Sequence, residues 1–418
     1  MASDYLNDVL CVDGVALPEV AENFGTPAFV YSAQTIAANW CAYDDAFGDR
    51  AHQISYAVKA NSNLAVLGQL AALGSGFDVV SGGELQRLLA IGCDPGRVVF
   101  SGVGKSIQEL ELAVSCGVGS INLESREEAL RLSEVAAAHG VRPEVSIRVN
   151  PDVDPKTHPY ISTGLKENKF GLPIDEARAL YLELQQSEIL RPTGVACHIG
   201  SQLLDASPVR DAVEILVELV AELRAAGIAI TRVDAGGGLG IAYGDEAPPS
   251  IGDYVAGLCE KIPADLAIEI EPGRSIVGKA GLLITRVEYV KKSEQKTFFI
   301  VDAAMSELLR PTLYNATHKV MAVRQARRGA EHFVGDVVGP VCESGDWLAR
   351  NVSLAVNSGA LLAICDVGAY GFVMSSNYNS RPRPPEILLD NGAARLIRSR
   401  ESHGNLLLDE LELFKTHQ

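Results

Sequence analysis

From residue 54 to residue 272, short β-rich runs alternate with longer amphipathic stretches. Apolar and β-branched residues cluster at 54–59, 77–81, 98–101, 120–124, 144–150, 194–198, 232–234 and 266–271. The runs are short and lack strict alternation, which predicts strands of a parallel sheet buried on both faces. Between them, 64–73, 84–91, 107–116, 126–139, 175–186, 209–225 and 251–261 carry apolar residues at helical spacing. Eight such units in series predict an α/β chain built on a closed (β/α)8, TIM-type barrel. An open doubly wound sheet is the competing architecture.

The texture changes near residue 280. Runs at 282–290, 297–301, 331–338, 361–365 and 386–389 are β-branched and separated by Gly, Pro and Asn. They predict a second, mostly antiparallel β domain. The expected division is a barrel over 30–278 and a β domain made of 1–29 and 279–418.

A barrel does its chemistry at the carboxyl ends of its strands. Those ends read Lys59; Asp78 with Ser81; Ser101; Glu124; Arg148 with Asn150; His198 with Ser201; Asp234 before Gly236, Gly237 and Gly238; and Glu271 with Arg274. Strand interiors read as apolar, so the polarity is concentrated at one rim.

Composition narrows the options. With 47% hydrophobic and 21% charged residues the chain reads as an ordinary globular protein. A net charge of −17 opposes a nucleic-acid partner. No run is long enough to cross a bilayer. Asp4, Asp8, Asp13, Glu19 and Glu22 stand where a signal segment would be basic or apolar. The eight cysteines are scattered with no CxxC pair, as expected of reduced thiols in a cytoplasm, with no metal site.

Lys59 ends the run Tyr56-Ala57-Val58-Lys59-Ala60-Asn61. A free lysine has a pKa of about 10.4, so holding it neutral at pH 7 costs roughly 4–5 kcal/mol. Burial at a strand end offsets part of that cost, and a neutral amine is what a Schiff base with an aldehyde requires. A lysine capping a strand explains it equally well in isolation. Gly236–Gly238 would form an anion-binding nest or a plain turn. Glu271-Pro272-Gly273-Arg274 is either an ion pair or an acid for a ring nitrogen beside an anion-binding arginine. Gly102-Val103-Gly104-Lys105-Ser106 imitates a P-loop, but Val99 replaces the leading glycine, and Ser106 with Glu109 makes a helix capping box. Nucleotide binding is rejected there. Cys342 and Glu343 lie on a polar, Gly-flanked turn, where a thiol is more accessible than in an apolar run. Arg310, Tyr314 and Tyr370 lie on proline- or glycine-marked loops.

These segments, in this order, resemble the alanine-racemase-like (fold type III) pyridoxal phosphate decarboxylases, and among them the diaminopimelate decarboxylases. The resemblance spans nearly the whole chain: YAVKAN at 56–61, GFDVVSGGEL at 76–85, FSGVGKS at 100–106, HIGSQ at 198–202, GGGLG at 236–240, EPGR at 271–274, RPTLY at 310–314, CESGD at 342–346 and GAYG at 368–371. It implies that Lys59 carries pyridoxal 5'-phosphate, with Asp78 in the same site. His198 would stack on the ring and Glu271 would pair with its nitrogen. Ser201, Gly236, Gly237, Gly238, Gly273 and Arg274 would hold the phosphate, with Tyr370 reaching the cofactor. The implied substrate is meso-2,6-diaminopimelate, converted to L-lysine and CO2. Arg274, Arg310 and Tyr314 would bind its distal carboxylate and Glu343 its distal ammonium, with Ser201 and Tyr370 also touching it. Cys342 would donate the replacement proton from the partner subunit of a homodimer. Lys169 would pair with Asp346 of the second copy, and the 151–169 loop would cover the pocket. A decarboxylase of arginine, ornithine or carboxynorspermidine, a racemase, and a silent binding protein are the alternatives.

Overall fold

A computed structural model describes residues 3–154 and 169–416. The chain divides into two compact units: 37–242 with 246–276, and 1–36 with 243–245 and 277–418.

The first unit is the barrel. Its strands are β1 (His52–Ala57), β2 (Gly76–Val79), β3 (Val98–Phe100), β4 (Ser120–Leu123), β5 (Glu144–Asn150), β6 (Arg191–Ala196), β7 (Arg232–Asp234) and β8 (Ala267–Ile270). Each pairs in parallel with its successor, and β8 pairs with β1 through Ile268 opposite His52, which closes the ring. A two-residue strand, Leu172–Pro173, hangs on β5 outside it.

One expectation needs correction. Several strands do alternate, with polar side chains in every second place: Ser146 and Arg148 lie between Val145, Ile147 and Val149, and Asp234 follows Val233. Both sets are buried, because the apolar set serves the helices outside while the polar set meets across the interior. Glu269 accepts from Ser55 at 2.6 Å and Gln53 at 2.9 Å, and Asn122 donates to Asp234 at 3.3 Å. The barrel is filled by a hydrogen-bonded network, which satisfies groups that would otherwise be costly to bury.

The helix ends are built as the residues suggest. Ser106 accepts from the Glu109 N–H while Glu109 returns a bond to the Ser106 N–H, completing the expected capping box, and Gly117 ends that helix at φ 76°. Lys105 is buried, donating to Glu128 at 2.6 Å and to the carbonyls of Gly102 and Asn122. Its amine is committed to the barrel wall, which agrees with rejecting a phosphate site. Lys105→Met strands a buried carboxylate and should lower stability by about 3 kcal/mol in a urea melt of the apoprotein.

The second unit is a mixed, mostly antiparallel sheet. Its order is Trp347–Leu354, Phe333–Val338, Thr297–Val301, Gly281–Lys292, Ala28–Ser32, Glu386–Asp390 and Ala393–Arg398, with Leu361–Cys365 also pairing Gly281–Lys292. The contacts Thr297–Val301 with Phe333–Val338 and Ala28–Ser32 with Glu386–Asp390 are parallel. Leu10, Val30, Leu282, Ile284, Ala363 and Ile387 belong to its core. No helix among the described residues is long and apolar enough to cross a membrane.

Candidate active site

Strand β1 stops at Ala57, and a single 3-10 turn, Val58–Ala60, presents Lys59. Its Nζ donates to Asp78 Oδ2 at 2.6 Å. The expectation of an amine made neutral by burial is not met: the Lys59 side chain is 35% exposed and ion-paired, whereas Asp78 is 0% exposed. The aspartate is enclosed in the wall, and the lysine stands on it. Asp78 Oδ1 has no hydrogen-bond partner among the described residues. Ser81, read as a rim residue, caps the next helix by accepting from the Glu84 N–H at 3.2 Å.

Glu271 follows β8, and its backbone N–H donates to the Gly236 carbonyl at 2.9 Å, tying the last two strand ends together. Ser101 Oγ donates to Glu271 Oε1 at 3.3 Å. Burial, then the charges of Asp234 and Asp78, push the Glu271 carboxyl well above its ordinary range against the opposing pull of Lys59. The acid is therefore starved of positive charge, as a partner for a protonated ring nitrogen would be.

His198 lies just beyond β6. Enclosure in the barrel mouth, then the cations Arg148 and Lys59, hold its pKa well below the usual range. Gly237 donates its N–H to His198 Nδ1 at 3.1 Å, which leaves the proton of the neutral ring on Nε2. That bond corrects the expected glycine nest. The Gly236 N–H is taken as well, by Asp234 Oδ1 at 2.8 Å, so two of the three donors are committed inside the barrel. The glycines are required mainly by close backbone approach: a Cβ at Gly237 would fall 2.1 Å from the Glu271 carbonyl oxygen, and one at Gly236 2.4 Å from that of Cys197. Gly237→Ala should displace Glu271 and cost about 1–3 kcal/mol. A thermal melt of the apoprotein and a cofactor titration would check both effects.

Arg274 is buried and donates through Nη2 to Ser201 Oγ at 3.0 Å, placing a guanidinium and a hydroxyl together. Gly273 lies against the Lys59 turn, where a Cβ would be 3.0 Å from Ala60 Cβ. Lys59, Ser101, Asn122, Arg148, Phe170, His198, Asp234 and Glu271 are among the residues lining one cavity of about 450 Å³. That volume suits a small cofactor with a substrate. Arg148 was expected at this rim from sequence, whereas Asn122 and Phe170 were not. Arg148 donates to Glu124 at 3.0 Å, and its guanidinium lies 4.8 Å over the Phe170 ring. An amine, a cation-starved acid, a flat neutral ring and an Arg–Ser pair make a donor set that fits pyridoxal phosphate.

The second unit holds the remaining candidates. Arg310 opens a short helix, Arg310–Tyr314. It is not on an exposed loop: it is 6% exposed, its guanidinium lies 4.5 Å over the Tyr243 ring, and Nη1 donates to His318 Nε2 at 2.9 Å. The His318 Nδ1–H is occupied by the Cys365 carbonyl at 2.9 Å, which makes Nε2 the acceptor. Neither Tyr243 nor His318 stands out in the sequence. Thr312 Oγ1 donates to the Gly345 carbonyl at 2.7 Å, so this helix, with half-buried Tyr314, adjoins the Cys342–Glu343 turn.

Cys342 is the exposed member of the eight cysteines, all of them free, while Cys41, Cys93, Cys116, Cys259 and Cys365 are half-buried rather than fully packed. Exposed Glu343 accepts from the Tyr378 hydroxyl. Asp346, expected to pair with Lys169 of a second copy, is engaged within its own chain. Asp346 is buried, and its two oxygens accept from the N–H groups of Met305 and Val341 at 2.7 Å each. It braces the turn from beneath. Tyr370 has φ 57°, a left-handed conformation that bulky residues rarely adopt. Most of the loop expected to cover the pocket, 155–168, lies outside the described residues.

Residues 33–278 match the family model of the pyridoxal binding domain of pyridoxal-dependent decarboxylases. The diaminopimelate decarboxylase of Pseudomonas aeruginosa is 53% identical over 97% of this chain and 98% of its own. The chain belongs to the diaminopimelate decarboxylase family. Its fold is likewise that of the family: the Helicobacter pylori diaminopimelate decarboxylase complexed with L-lysine superimposes with a TM-score of 0.91 at 44% identity, over 95% of this chain and 99% of that one. The M. jannaschii diaminopimelate decarboxylase in co-complex with L-lysine gives 0.92 at 36% identity, over 98% and 97%. Diaminopimelate decarboxylases are lyases that use pyridoxal phosphate, and the barrel cavity of this family member contains the amine and acid such a cofactor requires.

Proposed function

We propose that this family member removes CO2 from the D-centre of meso-2,6-diaminopimelate and releases L-lysine, completing lysine synthesis in the cytoplasm. The observation that carries the substrate is Arg310, a buried guanidinium preset by Tyr243 and His318. A distal carboxylate suits it, whereas the lone ammonium tail of a simple diamino acid does not. The relatives named above are diaminopimelate decarboxylases by name, and two of their structures hold L-lysine.

Bound pyridoxal phosphate supplies an aldehyde and an electron-withdrawing ring that accepts the electron pair released as CO2 leaves. Lys59 would attach it and, with Asp78 beside Nζ, pass a proton between that amine and the amine of the substrate. Glu271 would hold negative charge opposite the ring nitrogen, and neutral His198 would cover one face of the ring. Ser201, Gly273, Arg274 and the backbone from Gly238 onward would take the phosphate, with Tyr370 also reaching the cofactor. Arg274, Arg310 and Tyr314 would fix the distal carboxylate, with Ser201 and Tyr370 at the edge of the substrate site. Glu343 would take the distal ammonium. Cys342 would deliver a proton to the carbon that has lost CO2. Its exposure on a turn, next to Glu343, supports presentation to the barrel of a second copy in a homodimer with shared sites.

Purified protein supplied with pyridoxal phosphate and meso-2,6-diaminopimelate should release CO2 and L-lysine in equal amounts. Faster CO2 release from ornithine, arginine or carboxynorspermidine would overturn the assignment, as would the absence of lysine.

A further inference from the structure

Glu343 stands on an exposed turn, where a carboxylate ordinarily samples many rotamers. Here one of its oxygens is held. Oε1 accepts from the Tyr378 hydroxyl, and Oε2 makes no hydrogen bond among the described residues. Tyr378 is itself 45% exposed, so burial does not bring the two side chains together. The backbone on each side does.

On one side, the Glu343 N–H donates to the Val341 carbonyl at 2.8 Å, and the Asp346 N–H donates to the Glu343 carbonyl at 3.1 Å. On the other, Tyr378–Ser380 form a tight turn in which Asn379 and Ser380 take φ 56° and 54°. Successive non-glycine residues in the left-handed region are uncommon and persist only where their surroundings impose them. Ser376 donates its N–H to the Ser306 carbonyl at 2.9 Å, and its Oγ accepts from the Tyr378 N–H at 3.4 Å. Asn377 Nδ2 donates to the Arg381 carbonyl at 3.0 Å and to Glu401 Oε2 at 2.6 Å. Glu401 is anchored in turn by Arg383 Nε at 2.7 Å. A half-exposed tyrosine buries too little to explain such a turn. What the turn fixes is the place of its hydroxyl.

We propose that Tyr378 is a specificity-determining positioning residue: its hydroxyl holds Glu343 Oε1 so that Oε2 meets the distal ammonium of the substrate. The inference rests on the reading of Glu343 given above. Holding the carboxylate beforehand removes rotamer freedom that binding would otherwise have to quench. The hydroxyl keeps its proton, because the bond to Glu343, then the charge of that acid, raises the Tyr378 pKa above its ordinary value. Tyr378 therefore donates, and the negative charge stays on the acid. The plainer role is a strut that ties the 376–381 segment to the Cys342–Glu343 turn, and the test must separate the two.

Holoenzyme carrying Tyr378→Phe, Glu343→Gln or both is compared with the parent on meso-2,6-diaminopimelate and on D-2-aminopimelate, which lacks only the distal ammonium. Tyr378→Phe should raise KM for diaminopimelate about tenfold, the scale of one hydrogen bond to a charged group, with kcat within about twofold. Inhibition by L-lysine, which keeps that ammonium, should weaken alike. For D-2-aminopimelate, kcat/KM should stay within about twofold of the parent. In the Glu343→Gln background, Tyr378→Phe should add less than about twofold, because it acts through Glu343. Equal losses on the two substrates, or a fall in kcat, identify a strut and overturn the proposal. An unchanged KM for diaminopimelate, or a full further loss in the Glu343→Gln background, also overturns it. Should D-2-aminopimelate turn over too slowly to measure, inhibition by L-lysine decides: a tenfold loss supports the proposal and an unchanged constant overturns it. An unchanged KM in Glu343→Gln alone would instead remove the reading of Glu343, and the proposal with it.

Discussion

Lys59→Ala should abolish covalent cofactor attachment and lower decarboxylation by roughly 10³–10⁴-fold, the scale of a lost general acid–base group. The structure makes this a clean substitution. The side chain is only partly buried and donates to Asp78 from the rim, so removing it opens no large hole in the core. It does leave Asp78 buried beside Glu271 without the nearest positive charge, and the folded barrel must take up a proton or lose stability. Two effects should therefore separate. Borohydride reduction followed by peptide mapping should label Lys59 in the parent and no residue in the variant. Cofactor should still associate reversibly with the variant, because the Arg274–Ser201 pair and Glu271 remain. Label at another lysine in the parent, or activity within about tenfold of the parent in the variant, would remove Lys59 from the mechanism.

The fold was legible because its periods are strong. Eight runs and the helices between them were placed within a few residues, since parallel strands enclosed by helices leave little room for register error. The N-terminal segment was legible as part of the β domain only in outline, and Ala28–Ser32 proves to be an inner strand of that sheet. Two strands, Trp347–Leu354 and Ala393–Arg398, went unread because they lie at sheet edges and carry exposed polar positions such as Arg350, Asn351 and Arg395. The helix His403–Thr416 was unread too, and most of its apolar residues are exposed.

The site was legible where a residue acts through its own chemistry and illegible where it acts through a neighbour. Lys59, His198 and Glu271 are recognisable at strand ends. Asn122 and Tyr243 matter through contacts that span 112 and 67 positions, which no local spacing encodes, and His318 matters through an arginine eight positions away that no motif links to it. The alternating polar set in the barrel strands was visible in principle. It carries no signal on its own because a strand buried on both faces is expected to be apolar on both, and this interior is a polar network instead.

Substrate choice gives the second large effect. Arg310→Met should raise KM for meso-2,6-diaminopimelate and lower kcat/KM by roughly 10²–10³-fold, as when one partner of a buried, hydrogen-bonded charge pair is truncated. Met approximates the length of the stem, so packing against Tyr243 is partly kept while the charge and the bond to His318 are lost. Cofactor affinity should stay within about twofold, because on this reading Arg310 addresses only the substrate tail. His318→Ala should fall between parent and Arg310→Met, since it frees the guanidinium without removing it. Discrimination should fall in step: a diamino monocarboxylate has nothing to offer Arg310, so its kcat/KM should change far less than that of diaminopimelate. Measuring both substrates in all three proteins checks the argument. If kcat/KM for the two substrates drops by the same factor, or KM for diaminopimelate is unmoved, Arg310 is a structural part of the β unit, and the basis of substrate choice lies elsewhere.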